Sequence, residues 1–334
     1  MNRTLDTFAE WSGSFRTRHP SFSEIYRRYG TVLIFFGLCV LASVLSETFL
    51  TVGNLTNVLR QVVVISLLAC GVTFIIILGH IDVSLGSVLA LAGTVCASVM
   101  AETGHLGLAV ASGLGVGLLT GAINGWVITH FRIPSFILTL AMMTVARGIV
   151  LLYTGGLPVS GLGDDFRIIG QGDIGPVPIS VLILAVVAVL AWVLLNRTRF
   201  GRHVYATGGN PRAAVASGID TDRIVRRAFV LNGVLVSIAG IVLMSRINSG
   251  QPAAGVAYEF DAITAVVVGG TSLMGGSGTL TGTLIGSLII GVINNLLNLM
   301  NVSSYWQQVV KGLIIAVAVI LDVKTKSAGS PRRG

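Results

Sequence analysis

The segment 196–227, NRTRFGRHVYATGGNPRAAVASGIDTDRIVRR, carries seven arginines and only two aspartates. The sequence on both sides of it is apolar and almost free of charge. Long apolar runs that flank a basic loop are typical of a membrane protein whose basic loop stays on the cytoplasmic side. The segment therefore predicts both the fold class and the orientation of the chain.

The composition agrees with a membrane-spanning chain. Of the 334 residues, 53% are hydrophobic and 11% are charged, whereas a soluble domain carries about a quarter charged residues. Apolar runs long enough to cross a bilayer as helices recur along the whole length, without the alternation of membrane barrel strands. We predict an all-α membrane protein with about ten transmembrane helices. The predicted spans are 31–46, 61–79, 83–101, 106–129, 134–154, 177–195, 228–245, 261–275, 279–299 and 305–321.

The distribution of charge predicts the topology. Placing the N-terminus inside puts most of the 22 lysines and arginines into cytoplasmic segments, including the whole basic loop. The main outer loop, 155–176, holds three aspartates and one arginine. We therefore expect both termini to be cytoplasmic, with tails at 1–29 and 323–334 around one transmembrane domain at 30–322. The first apolar run lacks a cleavage site and is interpreted as a retained span, not a signal peptide.

Two distant segments resemble each other. GAINGWVITHFRIPSF at 121–136 is similar to GVINNLLNLMNVSSYW at 291–306, and Arg147-Gly148 is answered by Lys311-Gly312. The copies lie five spans apart, so they cross the membrane in opposite directions. This pattern predicts an inverted internal repeat, which in transporters places the pathway at the interface between the repeats.

The basic loop contains the signals of a short helix. Asn210 is a good N-cap, Pro211 suits the first helical position, and Gly218 follows the helix as a terminating glycine. A helix this short is unstable alone in water, so it needs support from the spans or from a partner. Two interpretations stay open: an ordered surface loop, or a docking helix for a cytoplasmic protein.

Two ionisable residues, Arg147 and Lys311, lie well inside predicted spans. A charge at the bilayer centre costs about 3 kcal/mol or more, so such a residue is normally paired or faces water. The possible partners are Asp82, Glu259 and Asp261. Asp82 also suits the N-cap position of the third span. Structural pairing and pathway lining both remain open for these residues.

Motifs of catalysis and of nucleotide binding are missing from the sequence. The glycine-rich segment 269–276 has no following lysine and is not a P-loop; its small residues favour a tight turn and close helix packing. The five histidines and three cysteines are scattered. The net charge of +8 belongs to loops that flank spans, which argues against nucleic acid as a partner. We therefore expect no catalytic, cofactor-binding or metal site in this chain.

Three segments together resemble a known family. The loop NRTRFGRHVYATGGNPRAAVASGI, the region from SGQPAAGVAYEFDAITAVVVGG to SSYWQQVVKG, and GHIDVSLGSVLALAG are similar to the permease subunit of bacterial ABC sugar importers, of which the ribose permease is the nearest type. The resemblance covers about residues 50–322. His80 stands where the family pattern has glycine.

The resemblance implies partners and a function. It implies a multi-pass protein of the bacterial inner membrane that imports a monosaccharide or polyol. The ATP and Mg²⁺ belong to a separate ABC ATP-binding subunit, which docks on the loop at 196–227. An extracytoplasmic sugar-binding protein docks on the outer face, and a second permease copy, identical or closely related, completes the pathway in the lipid bilayer. The sequence does not define the sugar.

Three groups of candidate residues result. Carried over by position, the resemblance assigns the coupling and receptor-facing groups, whereas the pathway group comes from polar and charged residues in the predicted spans. The ATPase-coupling residues are Asn210, Pro211, Arg212, Ala213, Ala214, Ser217 and Gly218. The residues of the pathway or of intramembrane pairing are Asp82, Ser84, Asn124, Arg147, Asn294 and Lys311. The receptor-facing residues are Asp164, Asp165, Gln251 and Glu259.

Two alternative functions remain open. An ion-coupled secondary transporter would use the intramembrane ionisable groups. An ABC permease for another solute, such as a branched-chain amino acid, would share the overall pattern.

Overall fold

The computed structural model describes residues 22–327, which are almost entirely helical. The helices before the basic loop are α1 Phe22–Leu45, α2 Val52–Ile77, α3 Leu85–Thr103, α4 Leu106–Phe131, α5 Ser135–Thr154, α6 Gly163–Gln171 and α7 Ile179–Arg197. The later helices are α8 Arg199–Gly209, α9 Pro211–Ala216, α10 Thr221–Ile247, α11 Tyr258–Val268, α12 Leu280–Leu299 and α13 Ser304–Ser327. A hairpin of two short antiparallel strands, β1 Asp173–Ile174 and β2 Val177–Pro178, precedes α7.

Seven of the described helices are long and apolar enough to cross a membrane: α2, α3, α4, α5, α7, α10 and α12. Helix α1 contributes a shorter apolar stretch, Gly30–Leu45. The predicted span 261–275 corresponds to α11, which has only 11 residues and ends at Val268. It ends early because the glycine segment that follows turns the chain, with Gly270, Gly275 and Gly276 all at positive φ.

Helices α2, α3 and α10 form the centre of the molecule, since they are the most buried of the helices long enough to cross a membrane. Helix α10 packs against α2, α3 and α4, and α2 also packs against α11 and α12. In the most apolar window of α2, 89% of the residues are buried, against 22% in α7. Helix α7 therefore presents most of its apolar surface outward, as expected of a helix that faces lipid.

Glycines permit a close crossing of α4 and α10. A Cβ atom at Gly117 of α4 would overlap the carbonyl oxygen of Gly233 of α10, and one at Gly233 would overlap that of Gly117. Small residues at such a crossing let the backbones approach, which is how membrane helices gain packing energy without a hydrophobic driving force.

Local capping signals define several helix starts. Thr51, Asp220 and Thr279 each accept a hydrogen bond from the backbone three residues later. The prediction that Asp82 caps the third span is wrong. The helix begins two residues later, at Leu85 with Ser84 as the N-cap residue, because the side chain of Asp82 closes a turn ahead of it.

The loops at the two ends of the bundle are held by specific bonds. Near the hairpin, Arg60 of α2 pairs with Asp173 at 2.7 Å, and Gln171 Nε2 donates to the carbonyl of Arg246 at 2.7 Å. At the other end, the amide of Gly276 donates to the carbonyl of Ile77 at 2.8 Å. Both loops are thereby fixed to the central helices α2 and α10.

Candidate functional site

A buried polar cluster surrounds Asp82, between the end of α2 and the start of α3. Asp82 is 3% exposed. Its Oδ1 accepts from the amide of Ser84 at 2.9 Å and from Ser84 Oγ at 2.6 Å. Its Oδ2 accepts from Asn232 Nδ2 of α10 at 2.8 Å. Asn124 of α4 completes the cluster, with Nδ2 3.5 Å from Ser84 Oγ.

Two side chains of α5 satisfy the irregular backbone beside this cluster. The amide of Ile81 donates to Ser135 Oγ at 3.1 Å, and the amide of Val83 donates to Thr139 Oγ1 at 3.2 Å. Non-helical backbone at membrane depth is tolerated only when protein groups or water pair its polar atoms. The chain between α2 and α3 is therefore a fixed break, not a loose loop.

A second cluster surrounds Asp261, in the first turn of α11. Lys311 Nζ of α13 lies 2.8 Å from Asp261 Oδ2, with side chains that are 24% and 5% exposed. Asn294 Nδ2 of α12 lies 3.5 Å from the same oxygen. Of the three predicted partners, Asp261 is the one that forms an ion pair with Lys311.

Arg147 bonds the backbone of the α10–α11 connection. Its Nη1 donates to the carbonyls of Pro252 at 2.5 Å and Ala254 at 3.0 Å. Glu259 is 4% exposed, and its carboxylate packs over Gly86 of α3. Glu259, grouped by the sequence with the receptor-facing residues, therefore lies inside the molecule, because the first turn of α11 turns it towards α3.

The segment predicted to couple to an ATPase forms its own helix, α9. Asn210 Oδ1 accepts from the amide of Ala213 at 3.0 Å, Pro211 occupies the first turn, and Gly218 follows with φ of 81°. Ser217 Oγ donates to the carbonyl of Ala213 at 2.9 Å. The predicted cap, first residue and terminating glycine are confirmed.

The two faces of α9 differ. Ala214 is 4% exposed, whereas Val215 is 58% exposed, and Arg212 and Ala213 are exposed as well. Helix α9 packs against α8 and α10. Ala214 therefore anchors the helix to the bundle, and Arg212, Ala213 and Val215 form the surface that another molecule can reach.

Helix α8 connects this surface to the glycine segment. Tyr205 Oη donates to the carbonyl of Gly278 at 2.8 Å, and burial raises the pKa of the Tyr205 phenol. A Cβ at Gly208 would overlap the carbonyl of Ile77 at the end of α2. Helix α8 therefore packs directly on the end of α2, three residues before His80, whose ring meets Phe229 edge-on at 6.1 Å.

The remaining outer candidates lie at or near the surface. Asp164 and Asp165 are exposed in the first turn of α6, and Gln251 is partly buried. Gln251 Nε2 donates to Ser249 Oγ at 3.2 Å. Within residues 22–327, no three His, Cys, Asp or Glu side chains come together as a metal site.

Asn232 joins the Asp82 cluster without having been predicted from the sequence. It is 1% exposed and holds Asp82, which is 150 residues away in the chain. The available signal was an asparagine in the middle of the apolar run of α10, where a polar side chain needs a partner.

Comparison with known proteins assigns the chain to a family. Residues 54–319 match the family described as the branched-chain amino acid transport system permease component. The chain belongs to this family. The ribose import permease protein RbsC of Bacillus subtilis (strain 168) is 46% identical over 92% of this chain and 96% of its own length. RbsC of Escherichia coli (strain K12) is 45% identical over 86% and 91%.

A further similar protein is named for transport of a different sugar, D-allose. The D-allose transport system permease protein AlsC of Escherichia coli (strain K12) is 37% identical over 90% of this chain and 93% of its own length. No solved structure matches the chain significantly. Membership of this permease family agrees with the many apolar helices, and the protein is a multi-pass membrane protein.

Proposed function

We propose that this chain is the membrane-spanning permease subunit of an ABC importer for a monosaccharide of the ribose type. One observation carries the proposal: the ribose permeases are 44–46% identical to this chain over most of their length. The allose, xylose and arabinose permeases follow at 35–37%. The family description refers to branched-chain amino acids, which makes such an amino acid the second candidate cargo.

The chain crosses the bacterial inner membrane ten times, with both termini in the cytoplasm. In addition to the seven long helices, α1, α11 and α13 each cross or enter the bilayer. The two polar clusters support the inverted repeat. Asp82 lies just before α3 and Asn124 lies in α4, as Asp261 lies in the first turn of α11 and Asn294 in α12. Asn124 aligns with Asn294 in the repeated sequence.

The driving energy comes from a separate ABC ATP-binding subunit, which holds the ATP and Mg²⁺ and docks on α9. The exposed residues Arg212, Ala213 and Val215 support this contact. The bonds of α8 to Gly278 and its packing on Ile77 support a path from the docking surface to the break at Asp82. The chain itself is a transport subunit and not an ATPase.

An extracytoplasmic binding protein delivers the sugar to the opposite face. Exposed Asp164 and Asp165 on α6 support this docking site. Two hydrogen bonds fix α6 to α10, so these carboxylates are presented on a well-anchored helix. A second permease copy, identical or a close paralogue, completes the pathway.

The cognate binding protein identifies the cargo. We expect a thermal-shift screen against pentoses, hexoses, polyols and branched-chain amino acids to give its largest stabilisation with ribose or a similar pentose. Ligand in excess of its dissociation constant by about 100-fold stabilises a protein by about 2.7 kcal/mol, which such a screen resolves. Stabilisation by leucine or valine and by none of the sugars would replace the proposal with amino-acid import.

A further inference from the structure

The two buried carboxylate clusters are built alike but differ in charge. Each contains an aspartate beside the start of a helix and an asparagine from the next helix: Asp82 with Asn124, and Asp261 with Asn294. Each borders a small cavity of about 10 Å³, which is room for one water-sized particle. In the second cluster the ammonium of Lys311 lies 2.8 Å from Asp261. Among the described residues, no ion pair includes Asp82.

The hydrogen bonds around Asp82 do not replace that positive charge. Its partners are the amide and hydroxyl of Ser84 and the amide group of Asn232, all neutral. The start of α3 contributes about half a unit of positive charge, but the start of α11 contributes the same to Asp261. A buried carboxylate, here 3% exposed, carries a large desolvation cost unless it is paired with a positive charge, coordinates a cation or takes up a proton.

The cavity beside Asp82 also contains an acceptor without a donor. Asn124 is 2% exposed, and its Oδ1 has no hydrogen-bond partner within the described part of the chain. The lining includes Ser84 and Thr120, whose hydroxyls retain free lone pairs. Carboxylate, amide and hydroxyl oxygens are the ligands of hard cations, and a monovalent ion balances the single negative charge of Asp82.

We propose that this cavity binds one Na⁺ ion, coordinated by Asp82, Ser84 and Asn124, in the role that the ammonium of Lys311 has beside Asp261. The ion neutralises Asp82 and ties the break between α2 and α3 to α4. The proposal does not depend on which solute the permease carries. Helix breaks at membrane depth are also where transporters coordinate Na⁺.

The test measures binding of ²²Na⁺ to the purified full chain in detergent, together with its melting temperature in NaCl and in choline chloride at equal ionic strength. We expect saturable ²²Na⁺ binding and a higher melting temperature in NaCl. Asp82→Asn removes the charge and abolishes both effects. Asn124→Ala removes one ligand oxygen and weakens Na⁺ binding about tenfold or more, the effect of losing one contact to a charge.

A matched control is available in the other repeat. Asn294→Ala makes the same change beside Asp261, where Lys311 already supplies the charge, and leaves Na⁺ binding unchanged. If Asp82→Asn does not fold, the Na⁺ affinity of Asn124→Ala tests the proposal. This variant is expected to fold, because Asn124 makes only the 3.5 Å side-chain hydrogen bond to Ser84. Lack of saturable ²²Na⁺ binding, or equal Na⁺ affinity in Asn124→Ala and the wild type, would overturn the proposal. A melting temperature that depends on pH and not on Na⁺ would also overturn it and would assign a proton to Asp82.

Discussion

The ion pair between Lys311 and Asp261 gives the sharpest prediction for stability. Its atoms lie 2.8 Å apart, with Asp261 5% exposed and Lys311 24% exposed. At this distance the attraction is about 6 kcal/mol with an effective dielectric constant of about 20, and desolvation cancels a large part of it. Removing one partner of a buried pair costs about 3–5 kcal/mol, because the other charge stays buried alone.

We therefore expect Lys311→Met to lower the free energy of unfolding by about 3 kcal/mol, the lower end of that range, since the ammonium is partly exposed. Asn294 remains as a weak partner of Asp261 at 3.5 Å. The neutral double variant Lys311→Met/Asp261→Asn recovers most of the loss, because no charge is left unpaired.

Unfolding by SDS in detergent micelles measures Lys311→Met, Asp261→Asn and the double variant against the wild type as a double-mutant cycle. The partly exposed pair Arg60–Asp173, with side chains 25% and 45% exposed, is the matched control, and its coupling energy is about 1 kcal/mol or less. A coupling between Lys311 and Asp261 no larger than in the control would show that this pair is not effectively buried.

Three further predictions test other parts of the structure. Gly117→Ala forces α4 away from Gly233 and lowers the melting temperature by several degrees, whereas Gly115→Ala, with nothing within 4 Å of its new Cβ, leaves it within experimental error. Tyr205→Phe removes the bond to Gly278 and costs about 1 kcal/mol in SDS unfolding; an unchanged stability would show that this bond is not maintained in the membrane. Ala213→Arg, on the exposed face of α9, lowers sugar uptake and receptor-stimulated ATPase activity of the assembled complex without reducing the amount of folded permease, whereas normal uptake and ATPase would exclude α9 as the docking helix.

The sequence predicted features that depend on local signals. Apolar runs located the helices, and Asn210, Pro211 and Gly218 located α9, because caps, fixed proline φ and positive-φ glycines act within a few residues. The early end of α11 depends on the glycine segment docking against Ile77, a contact between distant parts of the chain.

The composition of the polar clusters could be predicted only in part. Asp82 and Lys311 were recognisable as charges in apolar surroundings, but their partners were not. Asn232 bonds Asp82 across 150 residues, and Arg147 bonds backbone carbonyls that carry no side-chain signal. The burial of Ala214 could not be predicted from the sequence either, because a helix as short as α9 has no long apolar periodicity to define its faces.

Transport by the reconstituted system distinguishes an ATP-driven permease from an ion-coupled transporter. The permease is placed in proteoliposomes with its ABC subunit, and uptake of radiolabelled ribose is measured with the binding protein outside and ATP inside. We predict uptake that requires ATP, the ABC subunit and the binding protein together. Uptake by this chain alone, driven by a proton or sodium gradient and indifferent to ATP, would contradict the account and identify an ion-coupled transporter.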